Sequence, residues 1–359
     1  MLKQRRHRVA VRKLFSRRFC YLLVPSMLHL TSVPADCPVP VGHGAQITWR
    51  SVLNTCASRS DFAREGIKLA LRAARYPTIT RHWFSFWNSS EFLVRLAAVQ
   101  PRVIKKIYRP YLFAHLTCCQ RYSVLASHYE FVTQRLLAAS TLRAAFSPLS
   151  LHRFHGRSGQ PYRLELVAAT YMEREGELVL QLVCEDVVLF SVAFTFIQLA
   201  GCVQIGVGCL QGSRTEDALE RIRFSTRDLF GLRPKTLLMR VLQHIGHTHG
   251  CDTMQLVGND NRVMLQQMRK GRVIADYDSS WLELGAHRQD DGNFLLPCEA
   301  IRSPDFAKIA SNKRSEARKR HELLLTIGDE TCAALGDERP FTASRKEQLT
   351  VTSPKLTST

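Results

Sequence analysis

Hydrophobic positions along the chain change their period at Pro148. From Trp49 to Ala145 apolar residues recur at intervals of three and four: Phe62, Ile67 and Leu69 to Leu71, then Phe92, Leu93 and Leu96, then Leu125, Tyr129, Val132 and Leu136. Pro77, Pro101 and Pro110 punctuate this stretch, which predicts three or four helices, with Arg121 to Ala139 the clearest. After Pro148 the period falls to two. Tyr162 to Tyr171 alternates, Met172 to Gly176 reads as a turn, and Glu177 to Cys184 is the partner strand. Leu189 to Gln198 and Cys202 to Leu210 follow, so four consecutive strands form an antiparallel meander.

The helical period then returns. Ser213-Arg-Thr-Glu216 has the capping-box pattern, Leu219, Ile222 and Leu229 follow at helical spacing, and Gly231 stands where a helix closes. Pro234 suits a first-turn position, Leu237, Leu238, Val241, Leu242 and Ile245 make an apolar stripe, and Gly250 ends it. Thr253 to Val257 reads as a fifth strand, joined through a helix and therefore parallel. Asn261 to Lys270 reads as helix, Asn293 to Leu296 as a late strand, and Asn312 to Leu325 as a cationic helix. The expected fold is α+β, an N-terminal helical segment followed by a mixed sheet. The expected divisions are a basic, disordered segment and linker over 1–58, a helical region over 59–146, the α+β domain over 147–327 and a disordered tail over 328–359.

Length and composition, 359 residues with 45% hydrophobic and 23% charged, allow one large domain or two modest ones. Charge sharpens the picture. Of the formal +19, residues 1–60 hold ten Lys/Arg against one acid, Asp36, and residues 302–320 hold seven against two. Such ends suit phosphate-bearing partners, nucleic acid or an anionic membrane surface. Arg-Gly repeats, an RRM-like aromatic pair and zinc-finger spacing are all missing, which argues against nucleic acid. Eleven cysteines without a Cys-x-x-Cys fit free thiols in a reducing compartment. Lys3 to Arg18 followed by Phe19 to Leu30 has the outline of an export signal, but Pro25 and His29 interrupt the apolar run, Val33 to Cys37 matches a cleavage site poorly, and the run is too short to span a bilayer. The expected location is cytoplasmic, with a peripheral place at the inner membrane as the variant that the basic ends suggest.

Candidate chemistry gathers downstream of the meander. The order of meander, helix, strand, helix, strand resembles the GNAT acyltransferase plan, in which a strand splays and the next helix start holds the pyrophosphate of coenzyme A. The resemblance makes Gly231, Arg233, Lys235 and Gln211 the candidates for coenzyme A or acyl-CoA, an anionic phosphate-bearing ligand. The family loop is normally Gln/Arg-x-x-Gly-x-Gly/Ala; Gly231-Leu-Arg-Pro-Lys235 departs from it with one glycine and a proline that removes a donor. Solvated first-turn cations are the plain alternative. Glu283, beside Tyr277, Asp278 and Trp281, is the candidate for acid/base work because aromatic surroundings raise a carboxyl pKa; the plain alternative is a Trp-Leu pair anchoring a strand. His128 joins Tyr277 and Glu283 as a catalytic candidate, although a histidine on an apolar helix face is more often a core residue. His244, His247, His249 and Cys251 invite a zinc reading, but three histidines on a helix end point at different angles and no second ligand pair has a recognised spacing, so no metal is expected.

His128-Tyr129, Ile205-Gly206 with Leu210-Gln-Gly212, Thr226-Arg-Asp-Leu-Phe-Gly-Leu-Arg-Pro-Lys-Thr-Leu-Leu238, Tyr277-Asp278 with Trp281-Leu-Glu-Leu-Gly285, and Ser311-Asn-Lys-Arg314 with Arg318-Lys-Arg320 together resemble the VirK/YbjX (DUF535) family of bacterial proteins over about residues 60 to 326. The resemblance implies a link with virulence, the envelope of Gram-negative bacteria and tolerance of cationic antimicrobial peptides. Arg227 and Asn312 stand where the family often has lysine. Two functions from different classes are therefore expected: an acyl-CoA-dependent acyltransferase, or a non-enzymatic basic adaptor on an anionic membrane or RNA.

Overall fold

A computed structural model describes residues 46–53, 58–168, 172–199, 201–264 and 275–336. Helices α1 (Trp49–Leu53), α2 (Arg59–Arg75), α3 (Pro77–Trp87) and α4 (Glu91–Val99) lead into a 3-10 helix (Pro101–Tyr108), then α5 (Cys118–Gln134) and α6 (Ala138–Phe146). The helical stretch is thus cut more finely than its periodicity suggests. Pro77 and Pro101 each open an element, and Ser58 and Ser90 cap α2 and α4 by accepting backbone N–H bonds. The long helix expected over Arg121 to Ala139 starts earlier, at a Thr117/Gln120 capping box, and stops at Gln134 because Leu136 takes a positive φ of 58°.

The sheet has eight strands in the order β1-β2-β3-β4-β5-β6-β8-β7. Strands β1 (Leu149–His155), β2 (Pro161–Ala168), β3 (Leu178–Cys184), β4 (Val187–Leu199) and β5 (Cys202–Gly212) form an antiparallel meander of five, one more than expected, because His152 and His155 in β1 hide its alternation. Helices α7 (Ala218–Asp228) and α8 (Pro234–Thr248) cross over to β6 (Thr253–Leu256), which pairs parallel with β5. Helix α9 (Tyr277–Glu283), β7 (His287–Arg288), β8 (Phe294–Pro297) and α10 (Ser311–Leu335) complete the chain, with β8 between β6 and β7. Meander plus helix crossover make this a GNAT-like mixed sheet.

Several expectations need correction. The capping box at Ser213 does not form: Ser213 bonds Thr215, and α7 opens on Asp217 without a side-chain cap. Asn261 closes a 3-10 turn (Asn259–Asn261), and the rest of the helix expected to Lys270 lies mostly outside the described residues. The Tyr277 to Glu283 segment is helix rather than strand. At the ends, α1 buries Val52 and Leu53 inside the segment expected to be disordered, while residues 1–45 lie outside the description. Helix α10 runs through Gly328 to Leu335 and buries Ile327, Thr331 and Leu335 against the fold, so the tail expected from 328 starts no earlier than 337, outside the described residues.

One core serves both halves. Trp83, Trp87 and Phe131 from the helices share an apolar cluster with Phe194, Phe196, Leu238 and Met254 from the sheet and crossover. Polar bonds add to this bridge. Lys106 Nζ donates to Glu177 Oε1 at 2.7 Å, the Tyr129 hydroxyl donates to Glu177 Oε2, and Tyr111 and Thr195 share a bond of 2.7 Å, all buried.

Candidate functional site

Strands β5 and β6 part company midway along β5. Pairing runs from Gln204↔Thr253 to Val207↔Leu256, and the Val257 N–H still donates to the Val207 carbonyl at 3.0 Å. Beyond this point Gly208 to Gly212 have no β6 partner. Gly208 is the extra residue of a β-bulge, since Val207 pairs with Phe194 and Cys209 with Ala193. Only glycine fits there: a Cβ on Gly208 would lie 2.1 Å from the Glu175 carbonyl oxygen. The bulge and the turn carrying Glu175 are therefore locked together.

Helix α9 bridges the fork. The Tyr277 hydroxyl accepts from the Leu210 N–H at 2.9 Å and donates to Cys209 Sγ at 3.2 Å, while the Trp281 indole N–H donates to the Val257 carbonyl at 2.8 Å. Asn259 and Asp278 pin the helix start: Tyr277 N–H donates to Asn259 Oδ1 at 3.0 Å and Asn259 N–H to Asp278 Oδ1 at 2.8 Å. The Arg262 guanidinium stacks 3.7 Å from the Tyr277 ring centroid and is 3% exposed; one of its nitrogens donates to the Ala275 carbonyl, while its buried Nε has no partner. Glu175 completes the cluster, with the Cys209 thiol in hydrogen-bonding reach and Arg262 nearby. Backbone bonds from the 110–116 linker hold this side in place, Leu112 N–H to the Arg174 carbonyl and Ala114 N–H to the Asn261 carbonyl, both 2.8 Å.

Electrostatics divides these groups. Burial pushes the Glu175 carboxyl above the ordinary carboxylate range despite Arg262, and it raises the Cys209 thiol to about 12. Burial also lifts Tyr277 well above the usual phenol range, so its proton is held at neutral pH. The fork therefore holds a carboxyl with a raised proton affinity and a phenol that donates to sulfur.

The start of α8 lies at the other end of α9. Arg233 is the N-cap, Pro234 the first helical residue and Lys235 the next. Glu283 Oε2 takes the Lys235 ammonium at 2.7 Å and sits 3.8 Å from Arg233 Nη1. This corrects the expected environment of Glu283: it is exposed, and the Lys235 hydrogen bond and charge hold its carboxyl below the usual range rather than above it. Of the sequence candidates, α9 connects Tyr277, Glu283, Arg233 and Lys235. Gln211 instead binds Arg214 at 3.0 Å, and Gly231, with φ of 78°, turns the chain against Arg320. His128 lies in the core, where Nδ1 accepts from the Phe196 N–H at 3.1 Å and burial lowers its pKa to about 4. His244 bonds Asp329 and the Ile301 N–H, and no three His, Cys, Asp or Glu side chains converge on a metal geometry among the described residues. Sequence reasoning missed Glu175, Cys209 and Arg262. The available signal was Gly208 inside an apolar strand, where an isolated glycine marks a bulge or a close backbone approach.

The fold and fork define a GNAT-like α+β protein. The chain belongs to the VirK/YbjX family, matching the profile of the protein family of unknown function DUF535 over residues 59–333. It is 28% identical over 265 residues to the uncharacterized protein YbjX of Escherichia coli K12, covering 72% of this chain and 80% of that one. An uncharacterized protein of Haemophilus influenzae is 25% identical over 244 residues, covering 68% and 80%. Among solved structures, a cAMP-binding acyltransferase from Mycobacterium smegmatis aligns with a TM-score of 0.23 and 12% identity, covering 62% of this chain and 63% of its own, under two thirds of its length. A mutant form of the same acyltransferase aligns with a TM-score of 0.25 and 13% identity. Among the described residues no helix is long and apolar enough to cross a membrane.

Proposed function

We propose that this protein is an acyltransferase that takes its acyl group from a coenzyme A thioester and passes it to an amine or hydroxyl on a precursor of the cell envelope. The observation that carries the reading is the fork: β5 loses its parallel partner after Val207, bulges at Gly208, and returns through a helix whose start holds Arg233 and Lys235. Beyond the bulge β5 has no β6 partner and its Leu210 N–H is held by the Tyr277 hydroxyl, which places the fork's groups beside the path of an extended donor arm, and the first-turn N–H groups and two cations of α8 suit its phosphates. Glu283 pairs with both of those cations, so donor binding requires its displacement.

The groups at the fork suit the two proton transfers. Glu175 takes the proton of the attacking amine or hydroxyl, whose lone pair forms the new bond to the thioester carbonyl carbon. The carbon–sulfur bond breaks, and Tyr277, whose hydroxyl already donates to a sulfur, gives its proton to the departing thiolate. Proton return from Glu175 to the tyrosinate closes the cycle. Arg262 against the Tyr277 ring stabilises the transient phenolate.

The test is calorimetric titration of the full-length protein with coenzyme A and an acyl-CoA series, together with thiol release in the presence of amine and hydroxyl acceptors. Binding is expected, weakened about tenfold or more by Lys235→Ala through loss of a charge-assisted contact. Thiol release is expected to vanish in Glu175→Gln. Failure of every acyl-CoA to bind would sink the reading.

A further inference from the structure

Helix α2 is the most exposed long helix of the fold. Of its 17 residues only Leu69 is buried, while Phe62, Ile67 and Leu71 are 43%, 63% and 68% exposed. Ala63, Ile67, Ala70, Leu71 and Ala74 recur at three and four and are all exposed, so they form one outward apolar stripe. Cations edge this stripe. Arg64, Lys68 and Arg75 run along one side and Arg59 stands at its start, giving a helix with five cations and two acids. Asp61 and Glu65 pair with Arg64 and Lys68 at 2.5 and 3.1 Å, but these are exposed contacts of small worth that phosphates can replace. Trp49 of α1 packs on Phe84 of α3 and Phe62 lies on the far face of α2, so the stripe itself rests on Ile67 and Leu71 with the three alanines alongside them. A continuous exposed apolar stripe of this kind marks a contact surface rather than scattered exposure.

We infer that α2 lies flat in the interfacial layer of an anionic phospholipid bilayer, with Ile67 and Leu71 inserted among the acyl chains and the flanking Arg and Lys side chains on the lipid phosphates. Charge decides the occupant. The chain segments outside the described residues are themselves cationic: residues 1–45 hold eight Lys/Arg against Asp36, 265–274 hold three against none, and 337–359 hold four against three acids. None of them supplies the negative charge that the cations edging α2 call for, and a second copy would bring the same net positive helix against it. A surface both anionic and apolar just beneath its charges satisfies both features of the stripe. At about 1.5 Å per residue α2 is roughly 25 Å long, and its polar edge and low overall hydropathy suit lying in the plane rather than spanning. On its inner edge Glu65 contacts Lys105 and Arg109, and Arg109 contacts Glu173 beside Glu175, so the docked helix is tied to the turn at the fork.

The experiment is co-sedimentation of the full-length protein with vesicles of phosphatidylglycerol and phosphatidylethanolamine, compared with phosphatidylcholine vesicles. The double variant Ile67→Ser/Leu71→Ser changes two exposed side chains, and its circular dichroism and melting point check that the fold is intact. Leu219→Ser, an exposed apolar residue of α7, is the control. Wild type and the control are expected to bind anionic vesicles, and the double variant to partition about tenfold less or weaker. Binding by the double variant equal to wild type, equal binding to phosphatidylcholine, or no binding by wild type each overturns the inference. A change from dimer to monomer in the double variant without vesicle binding by wild type assigns the stripe to self-association instead.

Discussion

Glu175 and Glu177 stand two residues apart just before β3, and the fold treats them in opposite ways. Glu177 is fully buried and saturated: burial would raise its carboxyl, but the Lys106 charge and the Lys106 and Tyr129 hydrogen bonds to its two oxygens overcome this and hold it below the ordinary range. Glu175 is half-buried, with the Cys209 thiol in reach and Arg262 engaged over Tyr277, and burial leaves its carboxyl above the range. A buried charge whose partners are complete ties elements together, here the 3-10 helix and α5 to the sheet. A carboxyl desolvated without a full set of partners holds its proton more tightly than an ordinary carboxylate does. The contrast separates a fold-holding cluster from the one proposed to react.

The largest effect expected is on stability, from removing one member of the saturated cluster. Lys106→Ala leaves Glu177 charged and unpaired in the core and is expected to cost about 3–5 kcal/mol in urea unfolding. Glu175→Gln is expected to stay within about 1 kcal/mol of wild type while lowering acyl transfer by roughly two to four orders of magnitude. Equal stability losses in the two variants would erase the distinction.

The same contrast has a pH signature. His128 packs beside the saturated cluster and is held neutral with a pKa of about 4, against 6.5 when unfolded. The unfolded chain therefore binds the extra proton, and stability is lost as pH falls from about 6.5 to about 4, by about 3 kcal/mol at the limit. Glu177, with its lowered pKa, contributes stability above the ordinary carboxyl range that is lost as pH falls through its folded value. Glu175 has the opposite sign: its raised pKa lets the folded state bind the proton first, so its contribution weakens as pH rises through that value. Urea midpoints across this range are expected to fall less steeply for His128→Gln than for wild type, and an unchanged slope would remove His128 as the cause.

A smaller loss is expected at the fork. Tyr277→Phe strands the buried Leu210 N–H and is expected to cost about 1–3 kcal/mol. If Tyr277 also protonates the leaving thiolate, the variant loses turnover with little change in donor affinity, whereas a purely packing role predicts the stability loss alone in the folded fraction.

Legibility in the sequence followed the range of the interactions. The meander, Pro234 opening α8 and the glycines closing α7 and α8 are local, because alternation, ring constraint and positive φ act within a few residues; Gly231 and Gly250 have φ of 78° and 79°. What was missed depends on contacts far apart in the chain. Glu175 and Glu177 look alike in Arg-Glu-Gly-Glu, and only Lys106 and Tyr129, brought from the helical half, make them different. Asp228, inside the most family-like stretch, is likewise a structural acceptor for the Ser158 N–H and the Tyr162 hydroxyl at 2.7 and 2.9 Å, joining α7 to the β1–β2 turn. For Glu283, nearness to Trp281 in sequence suggests an apolar setting; on helix α9 the two side chains diverge, Trp281 into the core and Glu283 onto Lys235.

The smallest expected effect tests whether Glu283 is part of the reactive region or only a surface residue. Its carboxylate sits on the cations proposed for the donor's phosphates, so under that proposal ligand and side chain compete for the same charges. Glu283→Gln keeps the shape and removes the competing charge. Because the pair is exposed, the melting point is expected to stay close to wild type. Coenzyme A affinity is expected to rise several-fold, most clearly at low salt, where surface charges are least screened. Dephosphorylated pantetheine, which carries no phosphate, is expected to bind the variant and wild type alike. A parallel gain for pantetheine would show that Glu283 acts by holding α9 in the fork rather than by occupying the phosphate's place.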